Sequence, residues 1–82
     1  MKVAREELER FVSGYLQVND EERGFNEINF IDSGLIDSFG VLSMLMDLES
    51  YYSIKFNPID LLNEEAKTVG GLVQLIINKV ES

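Results

Sequence analysis

The chain of 82 residues contains no histidine and no cysteine, so the residues able to do chemistry are few. The stretch that draws attention is "SGLIDSFGVL", where Asp37 and Ser38 stand directly ahead of a long apolar run. A nucleophilic serine needs a neighbouring base; without histidine no Ser-His pair exists, and Asp37 alone is a weak substitute. If Ser38 is chemical, it is therefore a substrate for another enzyme. The free N–H groups and dipole at a helix start favour an anion, so a phosphate ester on Ser38 would be held well there. The plainer reading of the same pair is a helix N-cap, because Asp and Ser side chains both accept hydrogen bonds from a first turn. Metal chemistry has little to work with. No thiolate is present, and the acids of "NDEERG" lack the spacing of a calcium loop.

These residues need a scaffold, and the periodicity predicts a helical one. Ala4, Leu8, Phe11, Val12 and Tyr15 recur at three- and four-residue steps, predicting an amphipathic helix from Lys2 to about Val18. The run "NDEERGFNEINFIDSGLID" breaks that period with Gly24, Gly34 and several Asn and Asp residues, and reads as a long loop. Loops of that length in a compact domain tend to be functional. Phe25, Ile28, Phe30, Ile31, Leu35 and Ile36 are its expected anchors on the core. A second helix is predicted from about Ser38 to Tyr52, and a short third one at "NPIDLL", where Asn57 can cap and Pro58 fits the first helical position. In the last helix Thr68 is the expected cap, and Val69, Leu72, Val73, Ile76 and Val80 share a face. Gly70 and Gly71 weaken its first turn by about 1 kcal/mol each relative to Ala, which suits close packing. No segment alternates with a strand period. The fold class is all-α, a bundle of three main helices and a short one, in a single domain spanning 1–82.

The second helix carries two apolar stripes. At 100° per residue, Val41, Met44, Leu45, Leu48 and Tyr52 form one side, the ordinary core face. Phe39, Leu42 and Met46 fall on another side, with Glu49 at its edge. A small bundle buries one face per helix, so the second stripe is expected in solvent, where each such residue forgoes about 1.5–3 kcal/mol of burial. A stripe of this kind suggests a docking surface. The competing reading is that the long loop folds over it.

The formal charge of −8 is unevenly placed. Between residues 24 and 65 stand eight acids (Glu27, Asp32, Asp37, Asp47, Glu49, Asp60, Glu64, Glu65) against one base, Lys55. Such a segment repels phosphate backbones and anionic lipid, which argues against nucleic acid and membrane partners. It suits proteins with basic patches. No apolar run is long enough to span a bilayer, and "MKVAREELER" reads as a charged helix, not a signal peptide. The expectation is a soluble cytoplasmic monomer.

With these features in place, the sequence resembles the acyl carrier proteins. The signature is "DSGLIDSFGVLSMLMDLESYYSIKF", in which Asp37 and Ser38 occupy the modified Asp-Ser motif at the start of the second helix. The likeness continues through "NPIDLL" to "KTVGGLVQLI" and covers nearly the whole chain. It implies a four-helix carrier bundle that is not itself an enzyme. It also implies 4′-phosphopantetheine on Ser38, transferred from coenzyme A by a phosphopantetheinyl transferase, with acyl or aminoacyl thioesters carried on its thiol. Phe39, Leu42 and Met46, with Asp37 and Glu49 as acidic contacts, then fall on partner-docking positions. The partners implied are a loading ligase and an acyltransferase or synthase. Phe56, Leu61, Leu62 and Ala66 lie near where family members line an acyl cavity. Gly40 and Ser43 stand where fatty-acid carriers have acids, so "DSFG" looks closer to D-alanyl and other specialised carriers. The alternative from a different class is a helical interaction module without a prosthetic group.

Overall fold

The computed structural model describes residues 3–81, the side chain of Leu61 excepted. Along them run α1 (Arg5–Leu16), α2 (Ser38–Tyr52), α3 (Pro58–Leu62) and α4 (Val69–Glu81), with 3₁₀ turns at Phe25–Glu27 and Glu64–Lys67. The all-α bundle is the one the periodicity predicts. Helix α2 has the predicted bounds. Helix α1 is shorter than expected, because Ala4 is extended and Gln17 turns left-handed at φ 57°. Lys2, expected at its start, lies outside the described residues.

The core forms where the stripes converge. Leu8, Val12 and Leu16 of α1 meet Met44, Leu45, Leu48 and Tyr52 of α2 and Leu72, Val73 and Ile76 of α4, all buried. Val41 and Val80 are partly buried against this cluster. Tyr52 also donates from its hydroxyl to Glu7 Oε1 at 3.2 Å, tying the end of α2 to α1. Burial first, then the Glu7 charge and that hydrogen bond, push its phenol up to about 12.

The long loop between α1 and α2 is fastened rather than loose. Phe25 and Phe30 are buried, and Ile28 and Ile36 pack partly against the core, as expected of anchors. Between the two phenylalanines, Asn29 and Thr68 form an antiparallel bridge that no alternation announced. Phe30 N–H donates to the Lys67 carbonyl and Val69 N–H to the Ile28 carbonyl, each at 3.0 Å. Ile31 and Leu35 are corrections: they are 44% and 47% exposed rather than buried anchors. Asn29 Oδ1 accepts from the N–H groups of Ile31 and Asp32, so a local turn satisfies this backbone at the surface. Gly34, at φ 76°, then carries the chain toward α2.

Helix α4 begins in a tight corner. Gly71 N–H donates to Thr68 Oγ1 at 3.1 Å, the predicted cap. A Cβ on Gly71 would overlap the backbone carbonyl of Glu65, so the glycine permits the close approach of the 3₁₀ turn Glu64–Lys67. Helix α3 is held through one carboxylate oxygen. Asp60 Oδ2 accepts from Asn57 N–H at 2.9 Å and pairs with Lys79 Nζ at 2.9 Å.

Candidate functional site

Asp37 and Ser38 separate the two roles that the sequence left open. Asp37 is extended, at φ −83° and ψ 178°, and its Oδ1 accepts from Gly40 N–H at 2.7 Å. It is the N-cap. Ser38 is the first helical residue, exposed, and its hydroxyl makes no hydrogen bond among the described residues. The hydroxyl therefore stands outside the cap, at the positive end of a helix of fifteen residues. These features fit a phosphate ester: the residue is exposed, the adjacent carboxylate of Asp37 already accepts a backbone N–H, and the dipole favours negative charge.

Gly40 has a part in this that sequence reasoning missed. A Cβ there would run into the Ile36 side chain, so the glycine lets Ile36 lie against the first turn of α2. Loop and helix then border a depression of about 390 Å³, walled by Ile31, Ile36, Asp37, Ser38 and Val41. The only signal in the sequence was a glycine inside a helix, a position where it is unfavourable by about 1 kcal/mol relative to Ala.

The second stripe is open to solvent. Phe39 is 81% exposed, Leu42 55% and Met46 57%, while Met44 and Leu48 on the core face are fully buried. The loop does not cover it. Of the two acidic contacts expected beside it, Asp37 caps the helix, and Glu49 Oε2 accepts from Phe56 N–H at 2.8 Å. Glu49 is half-buried and pins the segment that leaves α2.

Of the residues expected around an acyl cavity, three can be placed among the described residues. Ala66 is buried and borders a cavity of about 360 Å³ with Ile59, Asp60 and Leu75. Phe56 is half-buried against the core instead, and Leu62 is 76% exposed. The side chain of Leu61 lies outside the described residues. Among the described residues no cluster of His, Cys, Asp or Glu could hold a metal ion, and no helix is long and apolar enough to cross a membrane.

A helical bundle that offers one uncommitted serine at a helix start, beside an uncovered apolar stripe, defines a scaffold for a covalently attached group. The comparison with protein families agrees. The family model described as the phosphopantetheine attachment site matches residues 6–76, and the chain belongs to that family. Comparison with curated proteins and with solved structures returns no match. The protein is thus a phosphopantetheine-bearing carrier with 4′-phosphopantetheine as its covalent cofactor. Carrier domains of this family are non-catalytic and work with enzymes that modify them and handle their acyl groups.

Proposed function

We propose that Ser38 is the attachment residue and that the protein carries acyl or aminoacyl thioesters among partner enzymes. The observation that carries this reading is the division of labour at the start of α2: Asp37 caps, and Ser38 Oγ is left exposed and unbonded. When attached, the prosthetic group supplies the thiol that this cysteine-free chain lacks. The chain's own residues orient and present it. Asp37 fixes the first turn, and Phe39 within that turn, with Leu42 and Met46 about one and two turns further on, offers a solvent-facing apolar surface. The proposed partners are a phosphopantetheinyl transferase, a loading ligase and an acyltransferase or synthase, each docking on that stripe. Gly40 and Ser43 leave the stripe without acids at those positions, which favours specialised acyl or aminoacyl cargo over a housekeeping fatty-acid role. For the acyl-lining role of Phe56, Leu61, Leu62 and Ala66, what supports the reading is Ala66 on the cavity wall, while Phe56 and Leu62 do not border that cavity.

The test is mass spectrometry after incubation with coenzyme A and a phosphopantetheinyl transferase. The wild-type chain should gain one phosphopantetheine on the peptide containing Ser38, and Ser38→Ala should gain none. Modification at Ser33 or Ser43 would overturn the assignment.

A further inference from the structure

The depression beside Ser38 is a constructed feature. Ile36 forms one wall because Gly40 has no side chain to displace it. Ile31 forms another and stays partly in solvent because the Asn29 turn holds it outward. Val41, three residues after Ser38 on α2, is half-buried and lines the same depression. Three branched apolar side chains thus border one serine, which is itself part of the wall. An occupant that removed their methyl groups from water would be favoured.

The occupant best matched in shape and supply is the prosthetic arm itself. Its pantoyl segment carries two methyl groups on one carbon, separated from the serine oxygen by only a phosphodiester and one methylene. That short tether keeps these methyls at high effective concentration beside Ser38. The same segment bears a hydroxyl, and Asp37 on the wall is an acceptor for it. The cavity at Ala66 does not include Ser38 and offers no such continuity.

Resting on the assignment of Ser38, we propose that Ile31, Ile36 and Val41 form a seat for the dimethyl pantoyl segment of the arm. The seat turns the root of the arm toward the loop and away from Phe39, Leu42 and Met46, so that the stripe stays open while the thiol end remains free to move. Ile36 and Gly40 act as a pair in this: the glycine positions the isoleucine.

Methyl-resolved NMR of the full chain, before and after modification with coenzyme A and a transferase, tests the seat. In the modified protein, cross-peaks should join the pantoyl methyl protons to the methyls of Ile31, Ile36 and Val41. The methyls of those three residues should also shift more than those of Leu42 and Met46. Ile31→Ser should lose the cross-peaks while mass spectrometry still shows full modification; Leu35→Ser, an exposed neighbour outside the wall, should keep them. Cross-peaks to Leu42 or Met46 instead, no cross-peaks, or cross-peaks unchanged in Ile31→Ser would each overturn the seat. Shifts at these methyls that arise only when the transferase is bound would assign the depression to a partner side chain, and overturn it too. Absence of any mass gain at Ser38 would defeat the underlying assignment, a distinct result.

Discussion

At the scale of single residues, Asp37 and Ser38 would compete for one task if both capped α2, and the bond from Gly40 N–H to Asp37 settles which does. Removing the cap should cost about 0.5–2 kcal/mol. Replacing an exposed residue without a bond should stay within about 0.5 kcal/mol. Urea denaturation should therefore rank Asp37→Ala well below Ser38→Ala in stability, although Ser38→Ala should abolish modification if Ser38 is the attachment residue proposed. Glycines give a second test, because one substitution should have opposite signs at two helical sites. Nothing lies near a Cβ built on Gly14, so Gly14→Ala should stabilise by up to about 1 kcal/mol through helix propensity. At Gly71 the new methyl would overlap the Glu65 backbone, and overpacking of about 1–3 kcal/mol should exceed the same gain. Equal midpoints for Gly14→Ala and Gly71→Ala would count against the tight corner. That one of the pair caps α2 was legible in the sequence, because Asp and Ser ahead of an apolar run both suit a helix N-cap; which of them does so was not. The roles of Gly40 and Glu49 were not, since each depends on a residue brought near by the fold: Ile36 for the glycine, the Phe56 N–H for the carboxylate.

At the scale of elements, α2 separates stability from recognition by helical phase. Leu45→Ala and Leu48→Ala should cost about 2–5 kcal/mol as cavities in a packed core. Phe39→Ala and Met46→Ala should leave stability nearly unchanged and instead weaken modification, measured as kcat/KM with the transferase. A loss of stability for Phe39→Ala as large as that for Leu48→Ala would mean the stripe is packed in solution. Helix α3, with one turn of its own, depends on Asp60. The Lys79 hydrogen bond first, then the Asn57 N–H, hold its carboxyl below the ordinary carboxylate value. A depressed folded value means the stabilisation is present above the unfolded value of 3.8 and is lost as pH falls through the lower folded one. Amide exchange over Ile59–Asn63 should thus rise only in that acidic range, and Lys79→Ala should bring the Asp60 titration back toward its ordinary value. Helices α1, α2 and α4 were readable because each buries one periodic face. The bridge at Asn29 and the 3₁₀ turn at Glu64–Lys67 escaped, because single pairings and short turns leave no period to read. Ile31 and Leu35 misled for a related reason: apolar type alone does not predict burial where local side-chain bonds satisfy the loop backbone at the surface, Asn29 Oδ1 for Ile31 N–H and Ser33 Oγ for Leu35 N–H.

At the scale of the whole molecule, the acidic middle raises a question of charge against contact. Several carboxylates are engaged locally: Asp37 and Glu49 with backbone N–H groups, Asp60 with Asn57 N–H and Lys79. A hydrogen bond to a neutral N–H does not cancel a charge, so the long-range field of the segment between residues 24 and 65 survives these contacts. That field should steer basic partners to α2, while the uncharged stripe of Phe39, Leu42 and Met46 holds the complex once formed. Association rates with the transferase, measured by stopped flow, should fall as salt rises and screening shortens to about 8 Å at physiological ionic strength. Dissociation rates should change little. Charge reversal at Glu49 is a poor probe, because it also removes the acceptor for Phe56 N–H. Asp47 is the better one: it lies on α2, is exposed, and makes no hydrogen bond or ion pair among the described residues. Asp47→Lys should slow association and flatten its salt dependence, with no loss of stability. An association rate indifferent to salt in both proteins would mean that the acidic middle plays no part in steering, and that the stripe alone selects partners.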